Sequence, residues 1–100
     1  MSKLVRDLIP DIIPEDKKGH YKFTVVEDEE YGRLLKEKLV EEVHEYLEAE
    51  NLEELADVLE VLEAIMKHKN FIQSELEDVK ESKKEKRGGF EKKLLMEVVR

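Results

Sequence analysis

Between Asp28 and Asn70 the apolar residues recur at intervals of three and four, and a single polar break at Asn51 cuts the run in two. That period is a helix's. A break this short leaves the second helix no course but back along the first, so the sequence predicts an antiparallel helical hairpin. Asp28 is placed to cap the first helix, expected over 29–49. Asn51 can cap the second, with Glu54 three residues on in a capping-box position. That helix is expected to end near Lys69, with Asn70 as a left-handed terminator.

Around the hairpin the pattern is thinner. The opening "KLVRDLIPDIIP" has helix-like spacing, with Pro10 suited to the first turn of a short helix. "EDKKGH" reads as a loop, and the alternation in "YKFTVV" predicts a short strand or extended segment near 21–26. A third helix restarts with Ser74 as candidate cap and stops at Gly88-Gly89, which should turn Phe90 back into the core. The closing "FEKKLLMEVVR" suits either helix or strand. One all-α domain over 1–100 is expected, with the third helix completing a helical bundle. A chain of 100 residues built from amphipathic helices has little core of its own. A homodimer or higher homo-oligomer is therefore expected.

Composition bears on partners. The formal net charge of −8 opposes a phosphate backbone, so no nucleic-acid partner is expected. Nucleotides remain accessible if divalent cations stand between carboxylates and phosphates. The absence of Cys rules out a disulfide framework and a thiolate zinc site. No stretch reads as a signal peptide or membrane span, so no membrane partner and a cytoplasmic location are expected.

A helix turns about 100° per residue, which assigns faces without coordinates. On the first long helix Leu35, Leu39, Val43, Tyr46 and Leu47 make the apolar stripe. Glu42 falls within its edge and Glu45 one step further round, while Glu37, His44 and Glu48 point away. On the second helix Leu55, Val58, Leu59, Leu62, Ile65 and Met66 make the stripe, bordered by Val61. Glu54 lies inside that arc and Asp57 just past Val61; Glu60 and Glu63 point outward. Two acidic pairs at i,i+3 thus border the faces that should meet. Four clustered carboxylates repel and raise one another's pKa, and a divalent cation relieves both effects. Oxygen ligands without His or Cys favour Mg²⁺, with Mn²⁺ as the alternative, over zinc. The plainer reading is a solvated acidic face, since 26 acidic residues make such spacings common; Glu75 and Asp78 repeat one of them with no apolar face beside it.

"EEVHE" followed by "ELAD" resembles the E-E-x-x-E and E-x-x-D signature of the all-α nucleoside triphosphate pyrophosphohydrolases, the MazG and phosphoribosyl-ATP pyrophosphohydrolase superfamily. With "KLVRDLIP", "EKLVEEVHEYLEA", "EELADVLEVLEA" and "KRGGFEKK" in order along nearly the whole chain, it is similar to the small house-cleaning branch. The resemblance implies a MazG-like bundle that cleaves the α–β phosphoanhydride of a nucleotide, giving a monophosphate and pyrophosphate. It implies Glu42, Glu45, Glu54 and Asp57 as metal ligands, and Glu41 as a catalytic residue assisting the metal or the attacking water. A ligand carboxylate could equally orient that water. Lys38 is either a phosphate ligand or an i,i+4 partner of Glu42. Lys83 and Arg87 are either phosphate ligands or cations complementing a helix C-terminus. The gap between Glu45 and Glu54 is shorter than in many members, which leaves the number of ions open. Hydrolysis of phosphoribosyl-ATP is the alternative within this class, and a noncatalytic helical interaction module the alternative outside it.

Overall fold

The computed structural model describes residues 2–100 and divides the chain into two compact units, one ending at Lys69 and one from Asn70 to Arg100. The regular elements of the described residues are all helices, in line with the all-α expectation. In the first unit α1 (Ile9–Ile12) carries Pro10 in its opening turn, and a 3-10 helix follows at Glu15–His20 where a loop was expected. Residues 21–27 have no regular hydrogen bonding, so the expected segment near 21–26 is not a strand; Tyr21 at its start is extended.

α2 (Asp28–Ala49) and α3 (Leu52–Lys69) pack along each other as the hairpin. α2 begins one residue early: Asp28 is inside the helix, where with Glu29 and Glu30 it faces the positive end of the helix dipole. It ends on Glu50 in the left-handed region, φ 48°, whose N–H donates to the Tyr46 carbonyl at 2.7 Å. Asn51 Oδ1 then accepts the Glu54 N–H at 2.9 Å, which caps α3 as predicted and contributes about 1 kcal/mol. The turn is two residues long, so the ends of α2 and α3 stay together.

The packing seam follows the predicted stripes in part: Leu35 is buried and Leu39, Tyr46, Val58, Ile65 and Met66 are half-buried. Leu35 and Val61 are the buried apolar side chains of the described residues, and Glu42 is the buried charged one, 7% exposed. Leu35 and Glu42 lie seven residues apart on α2, and Glu54 and Val61 seven apart on α3, so each pair shares a helix face. The carboxylates thus sit in the seam itself, while Leu47, Leu55, Leu59 and Leu62 remain at least 40% exposed. A two-residue turn fixes how the helices roll against each other, and that roll turns part of the leucine stripe outward.

In the second unit α4 (Gln73–Arg87) follows Asn70, which takes the predicted left-handed conformation at φ 59°. Ile72, not Ser74, stands at its N-cap, without a side-chain bond. Gly88 ends the helix at φ 82°. Phe90 is 96% exposed rather than turned into a core, and α4 buries no residue. Residues 88–100 form neither helix nor strand. No helix among the described residues is long and apolar enough to cross a membrane.

Candidate metal centre

The short turn and the seven-residue spacing bring three carboxylates to one point. Glu42 from α2 and Glu54 and Asp57 from α3 each place an oxygen within 4.8 Å of the others. Two charged carboxylates at that distance repel by about 3 kcal/mol in a half-polar setting. Glu42 Oε2 and Glu54 Oε2 are both buried without a hydrogen-bond partner, and a buried acceptor left unmade costs about 1–3 kcal/mol. Oxygens held apart by water or by a surface face would not carry that cost.

Such a donor set fits a hard divalent cation. Mg²⁺ takes oxygens at about 2.0–2.1 Å, so opposite ligands stand about 4.2 Å apart, a small side-chain adjustment from the 4.8 Å limit here. All three donors are carboxylates, which suits Mg²⁺ or Mn²⁺ and not zinc. Glu45 lies outside the three-oxygen set and is exposed, and its carboxylate adds to the upward push on the Glu42 pKa.

Cations already line this cluster. Lys38, half-buried on α2, reaches Glu41 at 3.1 Å and Glu42 at 3.2 Å. Lys38 is thus the i,i+4 partner of Glu42, the second of the two roles its position allows. Glu41 Oε1 also accepts from Lys3 at 3.2 Å, so two lysines hold its carboxylate. Arg6 donates to Asp57 at 2.6 Å and approaches Glu60 at 3.8 Å.

Sequence reasoning missed Lys3, and it read Arg6 as a partner of Asp7 or an anchor of the terminus, with a substrate role as the lesser reading; Arg6 pairs instead with Asp57. Lys3 and Arg6 stand 38 and 51 residues from their partners, and no spacing rule reaches that far. The available signal was charged residues set amid the apolar ones of the opening segment. Lys83 and Arg87 belong to the second unit, where they share a groove on α4 with Asp78, Ser82 and Lys86.

Burial pushes the Glu42 carboxyl above its usual range, Lys38 works against that, and Glu45 adds to it. Burial would also raise Glu41, but hydrogen bonds from Lys38 and Lys3 outweigh it and hold Glu41 below its usual range. For Lys38 burial works downward, and the bonds to Glu41 and Glu42 reverse it, so the ammonium sits above its usual value.

Set against models of known families, curated proteins and solved structures, the chain matches none at a significant level.

The two adjacent glutamates respond oppositely to pH. Glu42, raised on folding, contributes stability that is full below the ordinary glutamate pKa and is lost as pH rises through its raised value. Glu41, lowered on folding, contributes stability present above the ordinary value and lost as pH falls through its lowered one. A carboxyl-carbon NMR titration in EDTA should place the Glu42 midpoint above the ordinary glutamate range and the Glu41 midpoint below it. Coincident midpoints, or the reverse order, would contradict the burial and ion-pair geometry.

Proposed function

We propose that the protein is a Mg²⁺-dependent nucleotide pyrophosphohydrolase that clears noncanonical nucleoside triphosphates. The observation that carries this reading is Glu42: a carboxylate 7% exposed, with an unpartnered oxygen, in a set of three acidic groups. The order of the "EEVHE" and "ELAD" motifs and their resemblance to the all-α pyrophosphohydrolases support the choice of reaction.

Glu42, Glu54 and Asp57 would hold the cation, with Glu45 beside Glu42 as a fourth oxygen donor. A divalent cation there supplies neutralisation of phosphate charge and a bound water of lowered pKa. Lys38 Nζ stands next to the same carboxylates and would neutralise the phosphate tail. Glu41 is kept ionised by two lysines, which suits it to orienting the attacking water rather than storing its proton. In the net reaction the water oxygen bonds to the α phosphorus and the bond to the α–β bridging oxygen breaks. Pyrophosphate leaves with that electron pair, and the water proton passes to a ligand carboxylate or to solvent. The activity belongs in the cytoplasm, where nucleoside triphosphates are made and consumed.

Incubation with deoxynucleoside triphosphates, modified triphosphates and phosphoribosyl-ATP should release pyrophosphate from at least one substrate, only with Mg²⁺ or Mn²⁺. Glu42→Gln and Asp57→Asn should each lower kcat by about 100-fold or more. Activity that survives both substitutions would remove the cation from the assigned residues. No release from any substrate would favour a noncatalytic helical module.

A homodimer is proposed for the same reason that the seam is small. Leu35 and Val61 are the buried apolar side chains, while Leu47, Leu55, Leu59 and Leu62 stay exposed on α2 and α3. Covering that many leucines is worth roughly 1.5–3 kcal/mol for each one fully buried. Sedimentation equilibrium at micromolar concentration should give twice the chain mass of 11.8 kDa or a higher multiple, and Leu59→Glu should shift it toward monomer. A wild-type monomer at those concentrations would sink this part of the proposal.

A further inference from the structure

The carboxylate cluster opens on one side into a cavity of about 520 Å³ in the first unit. Its charged lining is Arg6, Asp7, Lys38, Glu42, Asp57 and Glu60, and its apolar lining includes Leu8, Ile9, Ile12 and Tyr31. The volume lies within the range of cavities that bury small-molecule ligands. Four of those charged groups are acidic, so an anion would enter with a divalent cation on the carboxylates, while the apolar lining suits an aromatic group.

Two features show that the apolar lining is built. Tyr31 meets His68 edge-on, with ring centroids 5.3 Å apart and planes at 90°. Beside it, a Cβ on Gly32 would stand 2.6 Å from His68 Nε2. Glycine inside a helix costs about 1 kcal/mol relative to alanine, and here its missing side chain lets the α3 imidazole lie against α2. His68 thereby fixes the plane of Tyr31 at the cavity wall.

Among the charged groups Arg6 lies on Asp57. A divalent cation and the guanidinium compete for the same carboxylate, and an anionic ligand gives the displaced guanidinium a new partner.

We propose that the opening segment is one wall of the substrate pocket: Arg6 passes from Asp57 to the phosphate tail when the carboxylates take a cation, and the nucleoside lies between Ile9, Ile12 and Tyr31. This deepens the pyrophosphohydrolase reading and rests on it for the identity of the ligand. Arg6 is a phosphate ligand that also tunes cation binding; Tyr31 is the stacking surface for the base.

The test uses the full chain and Arg6→Ala, with Arg6→Lys as the conservative variant; the Arg6 side chain is more than half exposed, so both should fold. Mn²⁺ titration followed by electron paramagnetic resonance should show about two- to fivefold tighter binding to Arg6→Ala, because a competing surface ion pair has been removed. A purely structural role for Arg6 predicts weaker binding instead. The same variant should raise KM for the substrate with kcat nearly unchanged, and Arg6→Lys should restore part of the loss. Independently of turnover, adenosine, cytidine, guanosine and uridine monophosphates are added with Mg²⁺ while methyl and aromatic NMR signals are followed. At least one should shift Ile9, Ile12 and Tyr31. Shifts confined to other residues, or a KM and Mn²⁺ affinity untouched by Arg6→Ala, would overturn the pocket. Carboxylate-dependent hydrolysis with an unmoved KM would defeat the pocket and leave the enzyme reading standing. Monophosphate shifts at these residues without hydrolysis of any substrate would defeat the enzyme reading and leave the pocket.

Discussion

The contact between Lys38 and Glu42 governs the rest of the first unit. A carboxylate in a helix–helix seam opposes folding unless a cation accompanies it, and Lys38 is that cation, one turn back on the same helix at 3.2 Å. It satisfies one Glu42 oxygen and leaves the other without a partner. The hairpin is thereby folded around a charge that its own side chains neutralise in part. Arg6 on Asp57 and Lys3 on Glu41 extend the same balance outward. The opening segment is thus tied to the hairpin by two ion pairs at the cluster, and it reaches the site through them.

Placing charge in the seam has a cost in core. Each helix has one main face to offer its partner, and here that face holds Leu35 with Glu42 on α2 and Val61 with Glu54 on α3. The leucines that would otherwise fill the seam face outward. One helix roll thus has two consequences: it brings the carboxylates together, and it leaves leucines of both helices exposed.

The hairpin was legible because its signals are local. The helical period, the Asn51 cap and the left-handed Asn70 each act within about four residues. Glu42, Glu54 and Asp57 were legible because helical spacing places them on faces. Their centrality was not, since a wheel gives directions on one helix and cannot say how two helices roll against each other. Val61 was assigned to a border for that reason, and it is buried. Phe90 was misassigned because Gly88-Gly89 announces a turn without saying what the turn faces. The partners of Arg6 and Lys3 lay beyond reach, since ion pairs across 51 and 38 residues leave no periodic trace.

A cation at the meeting point of α2 and α3 is the central claim, and its position can be seen directly. Crystals grown with Mn²⁺ and measured at its absorption edge should give an anomalous peak within about 2–2.5 Å of carboxylate oxygens from Glu42, Glu54 and Asp57. Well-ordered crystals whose anomalous map is blank there, with Arg6 still on Asp57 and the Glu42 oxygen still unpartnered, would contradict the account.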